Sequence, residues 1–310
     1  DYTIVKKTSI VPCYMSSIQW SNYEQEYSKE KQKRIQQMRR KHLYDDGNST
    51  FNIRTRQNCN IVYEDDSFRI EGDEDKKDKT YKSMMENGSF SMDGNLQLYS
   101  PKFFEIMKNI EKFLDSDNNP TGKILYYSDF RHESGSEAFE KILLSNGYEK
   151  YNPDQKDINQ LIESGSKKKR FSFLTGKESL EERLVNKDHF NHEENLRGEY
   201  IQILLISSSG AEGISLKAVR QVHIMEPFWN YIRVDQVFGR AVRMESHSIL
   251  PEEDRNVEQY IYLSHLPDGK TVEEIFDSMK LLKWNEVEEI EKTDDIKMTL
   301  VNKHKGLYKT

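Results

Sequence analysis

The chain has 310 residues and a net charge of −7, which allows one main domain with a sizeable core but excludes a uniformly basic nucleic-acid-binding protein. Two distant cysteines, Cys13 and Cys59, without a Cys/His cluster offer neither a zinc site nor a disulfide framework and fit a reducing compartment. No apolar run approaches the roughly 18 residues that a membrane span requires, and no signal-peptide pattern opens the chain, so we expect a soluble intracellular protein with no membrane partner.

Residues 1–98 are predicted to form an irregular, partly helical extension. The chain begins at Asp1 rather than at a methionine, which suggests a piece of a longer protein. Residues 21–24 have the form of a capping box, and apolar residues recur after them at helical spacing, so we expect a long helix there. Its far half, residues 29–41, is strongly basic, which is typical either of a solvated face or of a nucleic-acid track. Residues 71–79 are a mixed charge run and are predicted to be a mobile loop.

From Ser100 onwards, short apolar runs alternate with helical periods. The runs that resemble strands are residues 123–128, 170–174, 201–206, 221–226 and 257–263. Helix start and stop signals separate most of them, at Ser134 with Glu137, Ser179 with Glu182, and Asn146-Gly147. Strands that are apolar on both faces and alternate with helices predict an α/β fold, with a parallel sheet covered on both sides. Ligands are then expected beyond the carboxyl ends of the strands.

A tight turn follows the apolar run at residues 201–206. The turn is rich in small residues and includes Gly210 and Gly213. Small residues with free backbone N–H groups at the carboxyl end of a strand can approach a phosphate or a sugar edge closely. A purely structural turn is the alternative. The Gly-x-x-Gly spacing does not fit the dinucleotide fingerprint, which disfavours an unrelated Rossmann-type enzyme.

One helix with two faces is predicted over residues 230–243. At about 100° per residue, one face carries Gln236, Gly239, Arg240 and Arg243, and the other face is apolar. Two guanidiniums one turn apart, beside a glycine with no side chain to block a ligand, suit a polyphosphate or a developing phosphoryl charge. The alternative is an amphipathic helix whose arginines are only solvated.

Several motifs, in order along the chain, resemble those of superfamily 2 helicases and translocases. Residues 123–130 resemble motif IV, residues 209–216 resemble motif V, and residues 236–243 resemble motif VI, Q-x-x-G-R-x-x-R. Residues 174–191 and 227–230 resemble segments of Snf2-type proteins. Residues 210–230, with residues 56–60, are most similar to helicases of nucleocytoplasmic large DNA viruses, including poxvirus nucleoside triphosphatase I, early transcription factor proteins and African swine fever virus proteins. The similarity covers about residues 50 to 290.

The resemblance implies a RecA-like helicase C-terminal domain at residues 99–268, followed by a helical tail at residues 269–310. Arg240 and Arg243 would be arginine fingers that reach the β- and γ-phosphates of ATP, and Gln236 would position them or contact the nucleotide. The residues that would line the ATP cleft are Gly210, Glu212, Gly213 and Gly239. The residues that would contact the nucleic-acid backbone are Ser128, Arg131, Thr175, Lys177, Ser207, Ser208 and Ser209.

The sequence departs from the superfamily pattern in one respect. Superfamily 2 enzymes need a first RecA-like domain with a phosphate-binding lysine and a magnesium-binding acidic box, and the sequence contains neither. Residues 264–271 end in Gly-Lys-Thr but lack the first glycine of a phosphate-binding loop, and Thr271 with Glu274 instead predicts a capping box. We therefore expect ATP and Mg²⁺ to be bound jointly with the missing first domain, and the chain alone to hydrolyse no ATP.

The leading hypothesis is the C-terminal half of a viral ATP-dependent helicase or translocase that moves along DNA or RNA through phosphate contacts, in transcription or replication. The alternative is a viral early transcription or termination factor subunit that uses the ATPase as a switch and a docking surface, without unwinding. The partners implied are the first RecA-like domain of the same protein and the viral RNA polymerase. The expected location is the host cytoplasm, in the viral factory, or the virion.

Overall fold

Seven parallel strands form one sheet in the computed structural model, which describes residues 4–40, 53–152, 161–162, 168–208, 214–227, 231–243 and 245–267. The strands in these residues are β1 (Ile4–Tyr14), β2 (Lys123–Tyr127), β3 (Glu149–Lys150), β4 (Arg170–Leu174), β5 (Ile203–Ile206), β6 (Val219–Ile224) and β7 (Asn256–His265). Their order across the sheet is β1-β7-β6-β2-β5-β4-β3, and all neighbouring pairs are parallel. The predicted parallel α/β sheet is therefore confirmed.

Helices cover both faces of the sheet. The α-helices in the described residues are α1 (Ser17–Arg40), α2 (Ile53–Asn58), α3 (Ser67–Glu71), α4 (Glu74–Glu86), α5 (Leu96–Tyr99), α6 (Pro101–Glu111), α7 (Ser136–Ser145), α8 (Leu180–Phe190) and α9 (Tyr231–Ala241). Side chains of α3 to α7 form one hydrophobic core with the sheet, and side chains of α8 and α9 form a second. Successive residues of β2 alternate between these two cores, because neighbouring side chains of a strand point to opposite faces.

The strand β1 was not predicted from the sequence. It pairs with β7 along its whole length, from Ile4 opposite Asn256 to Tyr14 opposite His265. Much of β1 is exposed or half-exposed at the edge of the sheet, so it lacks the apolar run by which the buried strands were recognised. The domain boundaries at residues 98 and 268 stay predictions. The capping box at Thr271 and the tail at residues 269–310 lie outside the described residues.

Two predicted features of the N-terminal extension were wrong. The long helix α1 begins at Ser17 rather than at residues 21–24, because the Ser16 hydroxyl accepts a hydrogen bond from the Gln19 amide, at 3.0 Å. Residues 71–79 are not a mobile loop. Asp73 caps α4 by accepting from the Lys76 amide. Most charged residues of the run are exposed, whereas Lys77 is buried on the same side as Tyr81 and pairs with Glu137 at 3.0 Å.

The predicted helix signals of the main domain had mixed outcomes. The capping box of Ser179 and Glu182 is present at the start of α8, and α7 ends before Gly147, which has a left-handed φ of 79°. The box predicted at Ser134 was wrong, because α7 has Gly135 at its N-cap with no side-chain hydrogen bond. The Ser134 hydroxyl instead accepts from Arg69 Nη2, at 3.2 Å.

Candidate functional site

The helix α9 has the two faces that its sequence predicts. Its apolar face is buried in the second core through Val234, Val237, Phe238 and Ala241. On the other face Gln236 and Gly239 are exposed, and Arg240 is half-buried. Arg243, two residues beyond the helix, is also exposed, and within the described part of the chain it forms no ion pair with a carboxylate. A basic, solvent-facing surface therefore stands at the end of α9.

This end of α9 is joined to the segment that resembles motif V. Arg243 Nη1 donates a hydrogen bond to the Ser215 hydroxyl, and the Leu216 amide donates to the Arg240 carbonyl at 3.4 Å. The structure therefore brings the two motifs together, as the prediction requires. Ser209, Gly210, Glu212 and Gly213 lie outside the described residues, so their roles at the nucleotide stay predictions, as do those of Arg240, Arg243 and Gln236.

The space beside Gly239 is open. A Cβ atom placed on Gly239 would have no described heavy atom within 4 Å. A glycine in the interior of a helix lowers stability by roughly 0.5–1 kcal/mol relative to alanine. Packing within the described residues therefore gives no reason for a glycine here, whereas close approach of a ligand would give one.

Several of the predicted nucleic-acid contacts lie where three neighbouring strands of the sheet end. Ser128 follows β2, Ser207 and Ser208 follow β5, and Thr175 follows β4. Ser207 is buried, and the hydroxyls of two other residues are engaged inside the protein. Ser128 Oγ donates to Glu226 Oε1 at 2.7 Å, and Thr175 Oγ1 donates to Glu178 at 2.9 Å. These contacts shape the loops of the edge, and the predicted roles at nucleic acid stay predictions.

The other predicted contacts of this edge reach solvent. Lys177 and Ser208 are exposed, and Arg131 is half-exposed. Lys177 Nζ lies 3.9 Å from Glu137 Oε2, an exposed contact that contributes at most about 1 kcal/mol. These three side chains are therefore better placed than Ser128 and Thr175 to meet a phosphate backbone.

A buried carboxylate holds the loop after β2, and sequence reasoning missed it. Glu226 Oε1 accepts from Ser128 Oγ at 2.7 Å and from the amides of Asp129 at 2.6 Å and Phe130 at 3.1 Å. Burial, with a smaller effect of the Asp129 charge, raises the pKa of Glu226 to about 7. The signal in the sequence was a glutamate at the end of the apolar run 221–226.

Residues 58–60 connect this carboxylate to the N-terminal helices. Asn60 Nδ2 donates to Glu226 Oε2 at 3.2 Å, and Lys102 Nζ donates to Asn60 Oδ1 at 3.1 Å. Arg69 Nη1 donates to Asn58 Oδ1 at 2.8 Å. Buried polar groups need such partners, which gives a physical reason for asparagines at both positions. We call Glu226, Asn60 and Lys102 the Glu226 cluster.

Among the residues that the structure describes, no group of three or more His, Cys, Asp or Glu side chains is arranged to hold a metal ion. In the same residues, no helix combines the length and the apolar content that crossing a membrane would need. Cys13 and Cys59 form no disulfide, and burial raises the pKa of Cys13 to about 12.

Comparisons with known proteins agree with the motifs. A family model described as the helicase conserved C-terminal domain matches residues 105–245. A protein of Acanthamoeba polyphaga mimivirus, named as an ATP-dependent RNA helicase, is 31% identical over 257 residues, which cover 83% of this chain and 39% of that protein. A termination factor NPH-I homolog of African swine fever virus is 34% identical over 221 residues, which cover 59% of this chain and 30% of that protein.

The chain spans less than half the length of these two relatives. The Sulfolobus solfataricus SWI2/SNF2 ATPase core in complex with dsDNA aligns with 94% of this chain and 47% of its own, at 17% identity and a TM-score of 0.49, a similarity too low to support a conclusion. The matched family model and the ordered motifs therefore agree, and residues 105–245 of this chain match the helicase conserved C-terminal domain.

Proposed function

We propose that this chain is the second RecA-like half of an ATP-dependent nucleic-acid helicase or translocase. The observation that carries the proposal is the contact between Arg243 and Ser215, which places the basic end of α9 beside the motif V segment. In this role Arg240 and Arg243 stabilise the charge that develops on the phosphates during hydrolysis. The named helicase activity of the mimivirus relative supports the same conclusion.

The residues of α9 fit a bound triphosphate. Arg243 offers an exposed guanidinium, and the open side of Gly239 leaves room for phosphate oxygens beside it. ATP with Mg²⁺ supplies the phosphoryl group when bound. The chain contributes the positive charge and one wall of the nucleotide-binding cleft. The other wall of the cleft belongs to a first RecA-like domain. On its own the chain binds nucleotide weakly and hydrolyses none.

Movement along nucleic acid follows from contacts to phosphates rather than to bases. The two domains close around ATP and separate after hydrolysis. The carboxyl edge of the sheet therefore binds and releases the nucleic-acid backbone in turn. Because every nucleotide carries the same phosphate, such a grip has little sequence preference and weakens as salt concentration rises.

A second function is favoured by the name of the African swine fever virus relative, a termination factor homolog. In this alternative the ATPase is a switch on the viral RNA polymerase, and no strands are separated. Both functions place the protein with the viral transcription or replication machinery, in the host cytoplasm or the virion.

The test uses the protein in which this chain follows its first RecA-like domain. We expect Arg240→Ala and Arg243→Ala each to lower nucleic-acid-stimulated ATP hydrolysis by about three to five orders of magnitude, because each removes charge stabilisation in the transition state. The matched control is Arg197→Ala, which removes an exposed arginine before β5, at the opposite edge of the sheet.

The outcomes separate the two functions. Strand separation on a tailed duplex supports the helicase, and stimulated ATP hydrolysis without strand separation supports the translocase or the switch. Full ATP turnover in both arginine variants, or robust turnover by this chain alone, would overturn the proposal.

A further inference from the structure

Arg56 lies across the aromatic ring of Phe130 at the carboxyl edge of the sheet. The guanidinium carbon is 5.2 Å from the ring centroid, within the range of a cation–π contact. Arg56 belongs to α2, and Phe130 belongs to the loop that follows β2. Arg56 is half-exposed, and in the described part of the chain no carboxylate lies within ion-pair distance of it. Its guanidinium is therefore held by a ring and not by an opposite charge.

The two segments that carry Arg56 and Phe130 are fixed to each other. Asn60 Nδ2 donates to the Ser134 carbonyl at 2.8 Å as well as to Glu226, so the end of α2 is bonded to the 128–135 loop. The loop also closes tightly on itself, because a Cβ atom on Gly135 would lie 1.8 Å from the Phe130 carbonyl oxygen. The position of Arg56 relative to Arg131, in the same loop as Phe130, is thus set by buried contacts.

The carboxylates of this region are engaged by neighbours. Asp129 accepts from the Tyr127 hydroxyl at 2.6 Å. Glu133 Oε1 accepts from Gln57 Nε2 at 3.3 Å and lies 4.0 Å from Arg54 Nη1. Arg56 therefore stands beside a loop whose two described carboxylates each have a hydrogen-bond partner.

We propose that Arg56, supported by the ring of Phe130, is a phosphate-binding residue of the nucleic-acid track. It comes from the segment that precedes the matched domain at residues 105–245, so the track extends beyond that domain. A ring over one face of a guanidinium does not use its N–H groups, and in this role they bind two oxygens of a phosphodiester. The inference rests on the proposed function, because it adds a contact to the same nucleic-acid site.

The test measures the binding of this chain to fluorescein-labelled single-stranded oligodeoxythymidine, oligouridine and a DNA duplex by fluorescence anisotropy. We expect Arg56→Gln to weaken binding about tenfold and to reduce the slope of log affinity against log salt by about one, because one phosphate contact is lost. Equal losses on DNA and RNA are the expected result for a contact to the shared phosphodiester. The matched control, Arg197→Gln, changes the net charge equally and is expected to change binding less than twofold.

Two further variants test the role of the ring. Arg56→Lys keeps the charge but not the planar fork, so we expect most of the salt slope to remain and the affinity to fall a few-fold. Phe130→Leu removes the ring and keeps the charge, and it is expected to act in the same way. Thermal unfolding of the Arg56 variants should stay within a few degrees of the unaltered chain, because the contact with Phe130 contributes only about 0.5–1 kcal/mol and Arg56 forms no ion pair with a described carboxylate.

Arg131→Gln distinguishes the two possible failures. If Arg131→Gln weakens binding and Arg56→Gln does not, the inference about Arg56 is wrong and the proposed function stands. If neither variant changes binding, or if the unaltered chain binds none of the oligonucleotides, both the inference and the proposed grip on nucleic acid are wrong.

Discussion

At Gly239, adding one methyl group should affect stability and ligand binding in opposite directions. Its open side means that an alanine is accepted by the folded chain, and alanine favours a helix by about 1 kcal/mol relative to glycine. A methyl group there would nevertheless occupy the space proposed for phosphate oxygens.

We therefore predict that Gly239→Ala raises the free energy of unfolding by about 0.5–1 kcal/mol and lowers ATP turnover of the two-domain protein at least tenfold. Urea denaturation and a phosphate-release assay measure the two effects. The control, Ser83→Ala, changes an exposed position of α4 and is expected to leave turnover unchanged. Unaltered turnover in Gly239→Ala would show that the nucleotide does not use the open side of α9.

The 128–135 loop is held at its start by a single carboxylate. Two of its backbone amides bond to the carboxylate of Glu226, which follows β6. If that acceptor is removed, the half-buried Asp129 amide loses its partner and the Phe130 amide keeps only its bond to the Ser128 hydroxyl at 3.1 Å. A polar group left without a partner costs roughly 1–3 kcal/mol.

We predict that Glu226→Ala lowers the free energy of unfolding by about 3 kcal/mol and speeds hydrogen exchange at the amides of Asp129 and Phe130 at least tenfold. Mass-spectrometric hydrogen exchange measures the second effect directly. The control is Glu258→Ala, since Glu258 is a half-buried carboxylate of β7 that bonds to Tyr260 at 2.6 Å. If exchange at the two amides is equally slow in both variants, the loop is held by other contacts.

Burial decides which elements of this fold can be predicted from the sequence. Strands β2, β4, β5, β6 and β7 were predicted because burial on both faces requires an almost continuous apolar run. The strand β1 lies at an exposed edge, where that requirement is absent. The Glu226 cluster was not predictable, because Asn60 and Glu226 are 166 positions apart and only the fold brings them together. In the site, the faces of α9 follow from local periodicity, whereas the stacking of Arg56 on Phe130 requires tertiary structure.

For the whole molecule, buried ionisable groups set the dependence of stability on pH. Burial lowers the pKa of His223 to about 3, below the ordinary value near 6.5. Between these two values the unfolded chain binds the extra proton, so stability falls as the pH falls. Glu226 has the opposite effect on stability, because its pKa is raised from 4.5 to about 7. Between these two values the folded chain binds the extra proton, so stability falls as the pH rises.

We predict that the two effects largely cancel between about pH 4.5 and 6.5 and that stability falls steeply below about pH 4.5, where only the His223 effect continues. The full contribution of His223 is on the order of 5 kcal/mol, because its pKa is lowered from 6.5 to about 3. Urea denaturation at a series of pH values measures the curve. In His223→Gln, which cannot bind the proton, the decline below pH 4.5 should be shallower. An equally steep decline would assign acid sensitivity to other groups.

The pairing of β1 with β7 has a consequence for the order of events during synthesis. Thr8 on β1 and Gln259 on β7 share a hydrogen bond across 251 positions of sequence. Synthesis runs from the N-terminus to the C-terminus, so β1 emerges before the other described strands and its neighbour β7 emerges after them. A nascent β1 therefore has no strand to pair with while the central strands assemble, and the pairing of β1 with β7 forms late.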